Sequence, residues 1–137
     1  MSQVRGQTLV SLKSAATLSA YRVVRVSAAN TVNYHDTTTS LIFGVTTQAA
    51  VQTNAAASVC IGGTAKVACA ASVSAGSLVT AQSATASGLI MEVGASEALT
   101  STTVIPKTLG IALQSGSTNS VIEVALQIVN TSKAVWA

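Results

Sequence analysis

The chain is predicted to be all-β, a small antiparallel barrel or sandwich built from short strands. Three observations carry this. Apolar runs are short and rich in β-branched residues. Turn residues separate them about every ten positions. No long stretch shows the 3.6-residue period of an amphipathic helix. With 137 residues the chain makes one domain of ordinary size, long enough to bury a core without disulfide staples.

Taken in order, residues 1–17 lack a strong period and hold only the short apolar run TLVSL, so they are expected to form an extended N-terminal arm, with at most one short strand. The β-domain is expected over 18–129. YRVVRV (21–26) is aromatic and β-branched and reads as a strand. SAAN then turns the chain, and TVNYHD (31–36) follows as a strand with Val32 and Tyr34 on one face. LIFGVTT (41–47) is the next strand, where Gly44 signals a bulge or a close backbone approach. QAAVQTNAAAS (48–58) has only Val51 to bury and reads as a loop with at most one helical turn. SVCI, a Gly62-Gly63 turn and TAKVACA suggest a hairpin. In that register Cys60 faces Ala65 and Cys69 faces Ala56, so the two thiols are expected to be buried and free, a disulfide requiring another register.

SVSAGSLVTAQ and SGLIMEVG supply two further strands, and 95–103 a polar loop. VIEVALQIV (121–129) is the clearest element: Ile122, Val124, Leu126 and Ile128 share one face, Glu123, Ala125 and Gln127 the other. Residues 130–137 form a tail ending near the single tryptophan. The total is roughly eight to eleven strands.

The order of elements repeats. AYRVVRV (20–26) matches AGSLVTA (75–81), NTVNYHD matches ASGLIMEV, LIFGVTT matches TLGIALQ, and ASVCIGG matches NSVIEVA. Offsets run from about 55 to about 66 positions, as loop-length changes would produce. Candidate halves are 18–70 and 71–129. Either an internal duplication or shared strand composition in an Ala/Ser/Thr-rich chain produces such a match.

Charged residues are 8% of the chain and aromatics 3%, against 49% hydrophobic residues. So little surface charge gives a free monomer weak protection from association, which points to a life in an assembly. The net charge of +3 is scattered over Arg5, Lys13, Arg22, Arg25, Lys66, Lys107 and Lys133, with few aromatics to stack bases, so no nucleic-acid partner is expected. No run approaches the ~18 apolar residues of a membrane span, and the first residues lack the apolar centre of a secretory signal, so no membrane partner and synthesis in a cytoplasm are expected.

Catalysis needs positioned acids, bases or nucleophiles. His35 and Asp36 are adjacent and point to opposite faces of a strand, which leaves Cys60 with His35 as the remaining thiol–imidazole candidate. Dinucleotide, P-loop and zinc spacings are missing. The expectation is a protein that is not an enzyme and uses no cofactor or metal. A glycan- or receptor-binding β-module of a tail or surface appendage is the alternative, and it would draw on Tyr21 and Tyr34.

Three segments resemble the capsid decoration (cement) proteins of tailed bacteriophages. Val59, Gly63 and Val67 match a strand-and-glycine pattern. Ala75, Gly76, Val79 and Gly88 match a second glycine-marked strand. Leu109-Gly110-Ile111-Ala112-Leu113, Gly116, Val121 and Val124-Ala125-Leu126 match the last part. Ser77 and Asn119 stand where many relatives carry an acidic residue and a glycine, so nearby strand limits depart from the pattern. The resemblance implies a β-barrel on the outer surface of an icosahedral capsid, commonly a homotrimer that clamps neighbouring units of the major capsid protein. It implies no catalytic residues. Candidate capsid or subunit contacts are Val4, Arg5, Leu9, Leu12 and Lys13 in the arm and Val135 and Trp136 in the tail. On this reading, removing residues 1–14 leaves the β-fold intact.

Overall fold

The computed structural model of the chain describes residues 6–35, 41–81, 88–93 and 107–130. These residues form nine strands and no helix: β1 (Gln7–Ser14), β2 (Val23–Ala28), β3 (Thr31–Tyr34), β4 (Gly44–Thr46), β5 (Ala56–Ala68), β6 (Leu78–Ala81), β7 (Ile90–Glu92), β8 (Thr108–Ala112) and β9 (Val121–Val129). The all-β expectation holds. The strand order is β1-β3-β2-β4-β5-β9-β8-β6-β7, and β1 also pairs with β5.

That extra pairing closes β1, β3, β2, β4 and the first half of β5 into a five-stranded ring. The second half of β5 with β9, β8, β6 and β7 makes a second ring, closed by the parallel bridge between Cys69 and Ile90. The two rings are wired alike. In each, one strand pairs antiparallel with its hairpin partner (β2–β3, β6–β7) and with the next strand (β2–β4, β6–β8), which pairs with the last (β4–β5, β8–β9). The isolated bridges repeat as well: Leu18 meets Ala50 in the first ring and Val73 meets Gly116 in the second. So do turn bonds. The Asn54 N–H donates to the Ser14 carbonyl, and the Asn119 N–H to the Cys69 carbonyl, each at 2.8 Å. Both asparagines hold a left-handed backbone (φ 68° and 69°), which Asn tolerates better than most residues.

The expected Gly62-Gly63 hairpin does not form, and the Cys60–Ala65 and Cys69–Ala56 pairings fall with it. β5 runs unbroken through both glycines. Gly63 takes φ +84°, and a Cβ there would lie 1.7 Å from the Gly6 carbonyl oxygen. The register against β1 slips here, with Gln7 opposite Gly63 and Thr8 opposite Gly62 but Leu9 opposite Cys60. A left-handed glycine in a bulge bends a strand without reversing it. The glycine pair marks the passage from one ring to the other: pairing with β1 ends at Gly63 and pairing with β9 begins at Thr64.

The extended arm is likewise corrected over its described part. β1 lies along β5 from Gln7 to Lys13 and parallel to β3 at Lys13 and Ser14. Val10 and Leu12 are half-buried and Ser14 is buried, so this segment is a wall of the first ring, and its loss would open that ring. The expected strand at 41–47 shrinks to Gly44–Thr46. The close approach foreseen at Gly44 is present: a Cβ there would meet the Cys60 carbonyl oxygen at 2.5 Å.

The interior of the first ring is Leu18, Val24, Val32, Ala50, Ala57 and Val59, with Leu12, Tyr34 and Phe43 packed against it. The corresponding positions of the second ring, including Val73, Val79, Ile90, Leu109, Ile122 and Val124, form its interior. Each fully buried Val, Leu or Ile contributes about 1.5–3 kcal/mol. Val23, Val45 and Cys60 alternate with the interior residues and so face out of the first ring. They are nevertheless buried, in one continuous cluster with the second ring's interior. Main-chain bonds hold this junction: the Val23 N–H donates to the Gly88 carbonyl at 2.7 Å and the Ala68 N–H to the Tyr21 carbonyl at 2.9 Å. Asn130 adds two bonds of 2.8 Å to the backbone of Ile42.

Candidate functional site

Two surfaces stand out once the cores are assigned. The first is the β1–β3 wall. Strand alternation turns Leu9, Ser11 and Lys13 outward, and Leu9 is 51% exposed. At the end of this wall an open depression of about 340 Å³ is lined by Ser11, Leu12, Lys13, Asn30, Asn54 and Ala56. Its rim is closed by the Lys13 N–H donating to the Asn30 carbonyl at 2.9 Å. Of the contacts expected from sequence, Leu12 and Lys13 line this depression and Leu9 lies on the same wall. Val4, Arg5, Val135 and Trp136 lie outside the described residues.

The second surface was not foreseen. Leu78 pairs with Ile111, and Ile111 with Ala125, across β6, β8 and β9. Leu78 is 43% exposed and Ile111 and Leu113 are each 40% exposed. Simple alternation from Leu109 would send Ile111 and Leu113 into the core. The slip in register between Thr108 and Gly110 turns them out instead, while Leu109 stays fully buried. The usable signal in the sequence was the repeat itself, because Leu78 and Ile111 stand in the pairing positions of Val23 and Val45.

Polar groups near these surfaces serve the fold. The Ser19 N–H donates to the Tyr34 hydroxyl at 2.7 Å. At the matching place the Ser74 N–H donates to Glu92 Oε2 at 2.8 Å, as does the Ser77 hydroxyl. The bond from the Ser74 backbone, then that from Ser77, hold the Glu92 carboxyl below its ordinary range. The Arg22 guanidinium lies 5.8 Å from the centre of the Tyr34 ring. Tyr34 thus has its hydroxyl and its ring engaged, which leaves it less to offer a glycan.

Cys60 and Cys69 are both buried free thiols, as the sequence suggested. The Cys60 thiol reaches the Gly62 carbonyl at 3.1 Å, and burial pushes the Cys69 thiol up from its ordinary range. Among the described residues no three His, Cys, Asp or Glu side chains come together in a way that could hold a metal. No helix among them is long and apolar enough to cross a membrane.

No protein-family model matches the chain, and no curated protein matches it. Its fold does have a counterpart. The chain is similar to the N base of the head fiber gp8.5 of bacteriophage phi29. The crystal structure of that protein superposes with a TM-score of 0.63 at 12% identity, covering 93% of this chain and 98% of that one. At that identity the likeness is one of fold, and it extends over both rings.

Proposed function

We propose that the protein is a structural component of a phage virion that binds the outer surface of an icosahedral head and stabilises it by bridging neighbouring subunits of the major capsid protein. In this reading it acts as a homo-oligomer, most simply a trimer, with no catalytic step and no cofactor, after synthesis in the host cytoplasm. The observation that carries the reading is the near-complete overlap of fold with the base of a phage head fiber. The sparse charge supports it, because an interface core depleted of charged residues suits lasting association. The two apolar or recessed surfaces supply contact area at opposite ends of the element order.

The experiment is co-sedimentation of the purified protein with heads that lack it. The proposal expects saturable binding at a fixed ratio to the major capsid protein, and greater resistance of the loaded heads to heat or low salt. Failure to bind heads, together with a glycan affinity lost on Tyr21→Ala or Tyr34→Ala, would favour the receptor-binding alternative.

A further inference from the structure

Strand β1 is paired along most of its length on one side only. It lies against β5 from Gln7 to Lys13, whereas β3 meets its other edge only at Lys13 and Ser14. Two bonds fix the direction of its peptide groups. The Ser14 N–H donates to the Ala55 carbonyl, on the β5 side, and the Lys13 N–H to the Asn30 carbonyl, on the β3 side, each at 2.9 Å. Peptide groups alternate along a strand, so Leu12 and Val10 bond β5, while the N–H and C=O of Ser11 and Leu9 point out of the open edge. Beyond the register slip the Gly6 carbonyl accepts from the Thr64 N–H, which leaves Gln7 pointing outward as well. Among the described residues no strand lies along this edge.

An open edge is a template for a further strand, and proteins ordinarily blunt one with charge, proline or short length. This edge has none of these. Residues 7–12, QTLVSL, carry no charge and no proline. They extend about 20 Å, the length of an ordinary strand. The edge ends where β3 begins, at the depression lined by Ser11, Leu12, Lys13, Asn30, Asn54 and Ala56. That lining holds one cation and no carboxylate, and its other polar residues are neutral. The distribution of charge agrees. Residues 1–62 carry Arg5, Lys13, Arg22 and Arg25 against Asp36, and residues 63–137 carry Lys66, Lys107 and Lys133 against Glu92, Glu97 and Glu123, so the whole net charge of +3 belongs to the part that builds the first ring. A partner of opposite charge is favoured there.

We propose that the open edge of β1 receives an extended segment of a partner protein by strand addition, with an acidic side chain of that segment seated in the depression beside Lys13. The edge offers the N–H and C=O of Gln7, Leu9 and Ser11 to the new ladder, and the outward Leu9 side chain packs on an apolar residue of it. The added strand lies end to end with β3, which sets where it stops and brings its last residue to Lys13. The inference rests on the proposed function only for the partner's identity, a protein of the head; the mode of contact follows from the edge and its charge.

The test follows hydrogen exchange of single amides in the purified full chain, titrated with a blocked peptide of alternating threonine and valine that has an aspartate at each end. Val10 and Leu12 exchange slowly throughout. Leu9 and Ser11 exchange quickly in the free chain and at least about tenfold more slowly with the peptide. Lys13→Glu weakens binding of this peptide at least about fivefold and strengthens that of one ended by lysines. Ser11→Pro removes an outward donor and no bond to β5, and it abolishes binding of both peptides while circular dichroism shows the fold intact. A peptide N-methylated at every threonine and valine makes the same test without altering the chain, and it does not bind. Slow exchange at Leu9 and Ser11 in the free chain overturns the inference, as does failure of the aspartate peptide to bind. So does a peptide bound with those amides unchanged, or one bound equally well when N-methylated. A short oligothymidylate that displaces the aspartate peptide and binds more tightly marks a nucleic-acid site and also overturns it. A chain bound to heads with Leu9 and Ser11 exchanging as fast as when free sinks this inference alone. One that takes the peptide but ignores heads sinks the capsid reading alone.

Discussion

The first ring is sealed where the second is open, and the second is wedged where the first is zipped. Along the first ring's seam, β1 and β3 pair directly through Lys13–Thr31 and Ser14–Val32. Along the second's, Cys69, just past the end of β5, meets Ile90 of β7, and the segment around Tyr21–Val23 takes the bonds of Ala68 and Gly88. Gly88 is needed for this: its φ is +70°, and a Cβ would lie 2.6 Å from the Val23 carbonyl oxygen. Asn30, its counterpart, has φ 53° and keeps its side chain, because no segment of the same chain is bonded between it and Lys13. One pairing scheme thus supports two surface chemistries, decided by which outward positions a neighbour covers.

The largest effect should come from the glycines that let adjacent strands approach. A Cβ on Gly110 would lie 2.0 Å from the Ala125 carbonyl oxygen, and one on Gly44 would meet the Cys60 carbonyl oxygen and Val59 Cγ1. Backbone atoms cannot yield as a flexible side chain can. Gly110→Val and Gly44→Val should each cost about 3 kcal/mol or more in urea unfolding. A loss confined to one of them would break the equivalence of the rings.

Next come the neighbours Leu109 and Ile111. Leu109→Ala should cost about 3 kcal/mol, since the side chain is fully buried. Ile111→Ala should cost about 1 kcal/mol or less in the isolated chain. Similar losses at both positions would mean that Ile111 is a core residue and not a surface one.

Smaller still is the pair of acceptors. Tyr34→Phe leaves the Ser19 N–H without its acceptor and should cost about 1 kcal/mol. The Glu92 carboxyl, held below its ordinary value of 4.5, stabilises the fold at pH above that value, and the contribution fades as pH falls through the lowered folded value. Stability in acid should therefore decline less in Glu92→Gln than in the wild type, measured as thermal midpoints from pH 6 to pH 3. The smallest perturbation is chemical: Cys60 and Cys69 should resist iodoacetamide in the folded chain and react in urea, followed by mass.

Much of this architecture was legible because alternation and turn residues report local geometry. The nine-residue β9 has Ile122 and Val124 buried and Leu126 and Ile128 packed on the core, as its pattern required. The matching order of four elements was visible too. Non-local geometry was not. Gly62-Gly63 has the composition of a hairpin turn, but the bonds that β1 and β9 offer its flanks keep β5 continuous through a bend. TLVSL looks like an arm until β5 is found beside it. The outward turn of Ile111 depends on a slipped register that no local pattern encodes.

Hydroxyl-radical footprinting of Leu78, Ile111 and Leu113, in dilute free chain and in the assembled state, tests the central claim most directly. The account predicts strong modification of all three in the free chain and protection on assembly, with Val23 and Val45 protected in both. Equal modification of Leu78, Ile111 and Leu113 in the two states would contradict it.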